Sequence, residues 1–225
     1  QNPWQLSNTS FLRDTMHYNH VVLAPFFEVD RSWGHITEGS AIFSRLPFLA
    51  TGNLPFGGRP YSEKILWADV QWQQKPIRII SSHFLSMNLN TPKGSPSIID
   101  YHQQIDSAII TSGSLLTKLR YYQAYHVQQA HELRRFIQSS PHTAVLGIDM
   151  NSVPTAYVYR QLAALLQDAW LKGGWGLGAT YNRSRLPHLR IDYLMANEAL
   201  QLEQCTLVQV PFSDHYPLVA DYTWR

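Results

Sequence analysis

Gly147-Ile148-Asp149-Met150-Asn151-Ser152 follows an apolar run at 143–146, and Phe212-Ser213-Asp214-His215-Tyr216-Pro217 leads into another at 216–222. Each stretch sets polar, metal-competent side chains at a junction between strand and loop. Acids, amides and imidazoles are costly to bury without partners. Two such junctions far apart in the chain therefore predict several strands delivering their ends to one site. Asp149, Asn151, Asp214 and His215 offer hard oxygen donors and an imidazole, a set suited to Mg²⁺ or Mn²⁺ and a water nucleophile.

Outward from these junctions, 21–29, 39–44, 65–72 and 76–82 read as strands. In 65–72, Ile65, Trp67, Asp69 and Gln71 alternate with Leu66, Ala68, Val70 and Trp72, giving two unequal faces. A helix is expected over 115–137, with Val127, Ala130, Leu133, Phe136 and Ile137 as its apolar stripe. Its histidines His126 and His131 read as surface. A second helix is expected over 154–170, capped by Ser152, with Val158, Leu162, Leu165, Leu166 and Ala169 inward. A short helix at 10–17 and strands at 189–195, 206–210 and 216–222 complete the pattern. Thr91-Pro92-Lys93-Gly94-Ser95-Pro96 is a loop. Gly173-Gly174-Trp175-Gly176-Leu177-Gly178 lacks the Lys-Ser/Thr of a phosphate cradle and reads as a flexible turn. Strands, then helices, then strands favour a layered α+β domain over alternating βαβ units.

Composition narrows the function classes only a little. The 225 residues fit one large domain, and 44% apolar with 12% aromatic residues suffices for a sizeable core. Lys and Arg total 18 against 16 acids, a net charge of +2 that argues mildly against tight, sequence-independent DNA binding. Cys205, the single cysteine, excludes an intrachain disulfide and a thiolate metal site, and leaves the compartment open. No run reaches the ~18–20 apolar residues of a membrane span, and none reads as a signal peptide. Trp4, Phe26-Phe27 and Trp33 suit an amphipathic ligand and core burial equally well.

Five pieces in order carry a resemblance: Glu38-Gly39-Ser40-Ala41-Ile42-Phe43-Ser44-Arg45-Leu46-Pro47, Ser82-His83-Phe84, Gly147-Ile148-Asp149-Met150-Asn151, Arg190-Ile191-Asp192-Tyr193 and Ser213-Asp214-His215-Tyr216-Pro217. Together they resemble the endonuclease/exonuclease/phosphatase superfamily, the deoxyribonuclease-like phosphoesterases. The likeness is nearest to bacterial members, whose asparagine motif continues as Val153-Pro154-Thr155-Ala156-Tyr157 does, and it spans residue 20 to the end. It implies a four-layer αββα sandwich with the site at the strand ends between the sheets. It implies Mg²⁺- or Mn²⁺-dependent hydrolysis of a phosphoester, the substrate being nucleic acid, phospholipid or inositol phosphate. Asp149 would orient or activate the attacking water, and Asn151 would bond a phosphate oxygen or lie close to the metal. His215 would be the catalytic histidine, oriented by Asp192. His83, supported by Glu38, would bond a phosphate oxygen or protonate the leaving group, and Asp214 would join Asp149 and Asn151 near the metal. Arg190 and Tyr181 reach substrate in this picture, though an ion pair and core packing explain them equally well.

Three departures accompany the resemblance. No Asn-bearing strand followed by Gln-Glu, the family's principal metal carboxylate, precedes Glu38. Ile148 separates Gly147 from Asp149, and His126 falls where an Arg is usual. Residues 1–225 are therefore expected to form one N-terminally incomplete domain, binding Mg²⁺ weakly, turning over little by itself, and exposing a sheet edge open to pairing or oligomerisation. The alternative expectation is a non-catalytic phosphate- or partner-binding domain of the same fold.

Overall fold

The computed structural model describes residues 8–31, 34–58, 63–86, 115–182 and 189–225, without the side chains of 26–38 and 115–118. The 91–97 loop, Trp4 and Trp33, and the side chains of Phe26, Phe27 and Glu38 thus lie outside the described residues. A short helix α1 (Asn8–Ser10) runs into a π-turn at Phe11–Thr15 and leads to a long hairpin, β1 (His20–Arg31) and β2 (Gly34–Ser44). Then come β3 (Phe48–Pro55), β4 (Lys64–Trp72) and β5 (Lys75–His83). Helix α2 (Leu115–Gln138) precedes β6 (Thr143–Asp149), α3 (Tyr157–Ala163), β7 (Gln167–Asp168) and α4 (Ala169–Gly173). Strands β8 (Asp192–Ala196), β9 (Leu200–Leu207) and β10 (Leu218–Trp224) finish the chain.

The central sheet has six strands in the order β3-β4-β5-β6-β8-β7, with only β5 and β6 parallel. Its strands alternate between two buried faces. On one, Ile65, Ile80, Leu146, Tyr193 and Met195 meet Ala130, Leu133 and Ile137 of α2 and Val158 and Leu162 of α3. On the other, Leu66, Ala68 and Ile79 meet Ala24 and Ile42 of the first hairpin. Val70, Ile77 and Ala196 meet Leu200, Tyr222 and Trp224 of the β9–β10 hairpin on that same face. A sheet covered on both sides needs apolar residues at successive positions, which is why β4 reads as nearly continuous burial. The architecture is the expected α+β sandwich. Among the described residues, its second β layer consists of two separate two-stranded ribbons.

Three expectations are corrected. The 154–170 helix is broken: α3 ends at Ala163, Gln167–Asp168 pairs with β8, and the Asp168 carboxylate then caps α4 by accepting from Trp170 N and Leu171 N. Side-chain bonds of this kind compete with a continuing helix. Ser152 does not cap α3, whose cap position is Ala156. His126 is not on the helix surface but buried, at 1% exposure. Strand β3, which directly follows Pro47, was outside the sequence reading.

Candidate active site

Strand register builds the site. His83 at the end of β5 is the Cα partner of Asp149 at the end of β6, and Asp149 is the partner of Asp192 at the start of β8. Alternation places Ile148 and Tyr193 in the helix-side core, so Asp149 and Asp192 project from the opposite face. These residues form one row across three neighbouring strands. A cleft of about 350 Å³ opens over Asp149 and Asp192, lined also by Ser81, His215, Tyr216 and Leu218, with His83 and Asn151 outside its lining.

His215 enters from the loop before β10. Its backbone N–H donates to Ser213 Oγ at 3.1 Å, and Tyr181 bridges it, their ring centroids 4.9 Å apart. The buried Thr180 hydroxyl accepts from the backbone of Ile191 and Asp192, while Thr180 O accepts from Tyr216 N at 2.7 Å. One short segment therefore ties the histidine loop to β8. His215 Nδ1 lies 2.9 Å from Asp192 Oδ2. That hydrogen bond, foremost, holds the His215 pKa above its ordinary value, and Asp149 and Asp214 add to the pull.

Asp149 lies between the two imidazoles, its Oδ2 3.8 Å from His83 Nε2 and 3.9 Å from His215 Nδ1. Burial first, and the neighbouring Asp192 second, push its carboxyl up to about 7. Its other oxygen accepts from Asn151 N at 2.8 Å. Asp149 and Asn151 thus form an Asx-type turn beside the cleft. Asn151 adopts a positive φ of 46°, and its amide nitrogen donates to Phe84 O at 2.9 Å and approaches His83 Nε2 at 3.3 Å. Burial lowers the His83 pKa to about 4, so this imidazole is neutral near pH 7.

Ligand-type atoms of Asp149, Asp192 and His215 all lie within 4.8 Å of one another, a group that could hold a metal ion. Asp214 neighbours this group rather than belonging to it. The predicted pairing of Glu38 with His83 rests on a side chain outside the described residues. Arg190 does not face the cleft: it is 5% exposed, pairs with Asp168 at 2.6 Å and lies over the rings of Tyr159 and Tyr193. Sequence reasoning missed the Tyr193 hydroxyl, 2.7 Å from Ser152 O and 2.9 Å from Arg190 O, which joins the Asn151 loop to the approach of β8. It also missed His126 and Gln129. Their signal was available, because Tyr122, His126, Gln129 and Leu133 fall at helical spacing on a single buried stripe.

Residues 2–215 match the profile of the Endonuclease/Exonuclease/phosphatase family. The chain belongs to this family. Its members hydrolyse phosphoester bonds. An endonuclease/exonuclease/phosphatase from Bacteroides vulgatus superposes with a TM-score of 0.65 at 16% identity, over 95% of this chain and 79% of that one. The human Nocturnin catalytic domain, solved with a bound sulfate anion, gives 0.62 at 16% identity, over 100% and 77%. A mannosyl-6-phosphatase from Bacteroides thetaiotaomicron gives 0.59 at 14% identity, over 91% and 77%. At these identities the likeness is one of fold. No curated protein matches the chain significantly.

Proposed function

We propose that this site hydrolyses a phosphoester bond by in-line attack of water, with Mg²⁺ or Mn²⁺ as its metal. The observation carrying this reading is the row His83–Asp149–Asp192 capped by the Asp192-bound His215. Asp149, with a pKa raised to about 7, has the basicity to take a proton from water near neutral pH. His215, kept protonated by Asp192, offers positive charge and a proton to oxygens around phosphorus. Asn151 and neutral His83 stand where a phosphate oxygen can be bonded. The Asp149 and Asp192 carboxylates could hold a hard divalent cation, with His215 keeping its proton beside it. The bound ion would supply charge neutralisation at the phosphate.

Two protein carboxylates leave the remaining octahedral positions to water and substrate, so metal affinity without substrate is expected to be weak. A mannosyl-6-phosphatase among the fold relatives makes a monoester as eligible as a diester. The test is turnover of bis(p-nitrophenyl) phosphate and of p-nitrophenyl phosphate with Mg²⁺ or Mn²⁺, alongside calorimetric titration of each ion. Metal-dependent release of nitrophenol from one substrate, lost on chelation, supports the reading and picks the ester class. Absence of turnover on both, with phosphate still bound, favours the non-catalytic binding domain.

A further inference from the structure

One helix holds the backbone of Leu85 at both its N–H and its carbonyl. Leu85 N donates to Gln129 Oε1 at 3.1 Å, and Leu85 O lies 2.7 Å from His126 Nε2. Both helix side chains are buried, His126 at 1% exposure and Gln129 at 3%. A carbonyl oxygen only accepts, so the His126 proton resides on Nε2. In the neutral ring Nδ1 then accepts from Ser152 Oγ, 3.1 Å away. Burial, which lowers the His126 pKa, favours that neutral ring.

The two segments joined in this way are those that follow the site residues. Leu85 stands two residues after His83, and Ser152 directly follows Asn151. The same segments also meet through Asn151 Nδ2 on Phe84 O, and through Phe84 N on Asp149 O at 2.9 Å. The imidazole and the amide of α2 satisfy the N–H and C=O of buried Leu85, which leucines at these positions would leave unpaired. What the two polar side chains add is direction: a fixed peptide plane beyond His83 and a fixed loop beyond Asn151.

We propose that His126 and Gln129 are positioning residues, a buried two-point clamp that sets His83 and Asn151 relative to Asp149. The kinetic consequence rests on the phosphoesterase reading above, and the structural consequence does not. Neither residue lines the cleft, so neither is expected to touch substrate. Clamping that serves the reacting geometry affects kcat more than KM.

The test compares wild type with His126→Leu, which fills the volume without hydrogen bonds, and His126→Gln, which restores an N–H donor. Imidazole ¹⁵N spectra of the wild type at pH 7 should show Nε2 protonated and Nδ1 unprotonated. Amide exchange at Leu85, whose N–H donates to Gln129, should quicken about 10-fold in a Gln129→Leu variant, with Leu146 in β6 unchanged. With bis(p-nitrophenyl) phosphate and Mn²⁺, kcat should fall about 10²-fold in His126→Leu at little change in KM, and His126→Gln should recover most of it. An Nδ1-protonated or doubly protonated His126, or unchanged Leu85 exchange in Gln129→Leu, overturns the clamp. Equal loss of kcat in both His126 variants reduces it to packing. A wild type without turnover refutes the phosphoesterase reading instead, and the nitrogen shifts and amide exchange still decide the clamp.

Discussion

Asp192 receives His215 Nδ1 at 2.9 Å while standing as the register partner of Asp149 on the adjacent strand. One carboxylate thus acts on two neighbours with opposite chemistry. It favours the protonated form of His215 by hydrogen bonding and disfavours ionisation of Asp149 by like-charge repulsion. The protonation of His215 and Asp149 is therefore set together, from a single position at the start of β8.

Asp192→Asn should lower both pKa values at once. His215 loses its charged acceptor, and Asp149 loses the repulsion of a neighbouring anion. Proton-transfer catalysis is worth ~10²–10⁴ in rate, so turnover should fall within that range while the fold persists. NMR titration of His215 beside kcat measurement checks this. A His215 titration unmoved by the substitution would remove Asp192 from its orienting role.

Acid should weaken the metal-free protein through His83. Its folded pKa of about 4 lies below the ordinary 6.5, so between these values the unfolded chain takes up a proton that the folded chain refuses. Stability from this group is complete above pH 6.5 and declines as pH falls toward 4. His215 has the opposite sign, its contribution being full below pH 6.5 and fading as pH rises through its raised folded value. Urea unfolding at stepped pH should show a shallower acid limb for His83→Asn, the difference from wild type reaching on the order of 1–3 kcal/mol near pH 4. Parallel limbs would mean that His83 is protonated in the folded state.

Breaking the buried Asp168–Arg190 pair should act on stability. Removing one partner of such a pair leaves an uncompensated charge and costs about 3–5 kcal/mol. Asp168 also accepts from Tyr159 and caps α4, so Asp168→Ala should unfold at lower urea than Arg190→Ala. Arg190→Ala is expected to leave KM nearly unchanged, because the guanidinium is shut away from the cleft. A large KM effect at unchanged stability would restore Arg190 to the substrate side.

The legible parts of this chain are those in which chemistry and periodicity agree. Thr143–Asp149 is apolar and β-branched up to the point where it turns acidic, so both the strand and the site at its end could be read. The row of His83, Asp149 and Asp192 depends on register between strands distant in sequence, which periodicity does not report; family likeness supplied it. Leu162, Leu165, Leu166 and Ala169 keep helical spacing across a real break, because all four are turned inward although Ala169 beyond it packs into a separate cluster with Trp170 and Cys205. His126 and Gln129 were hidden by polarity, their burial being offset by hydrogen bonds rather than by apolar contact. Strand β3 begins with Phe48 and Leu49 straight after Pro47 and is exposed along much of its length, so it offers little alternation to detect.

Turnover of bis(p-nitrophenyl) phosphate with Mn²⁺ by wild type, Asp149→Ala, His215→Ala and the double variant most directly tests whether these residues act on one phosphate. Each single substitution should reduce kcat by ~10²–10⁴. The double variant should lose little more than the worse single one, as expected of groups that work as a unit. Turnover that persists in both single variants, or that proceeds equally in chelator, would contradict phosphoester hydrolysis at this site.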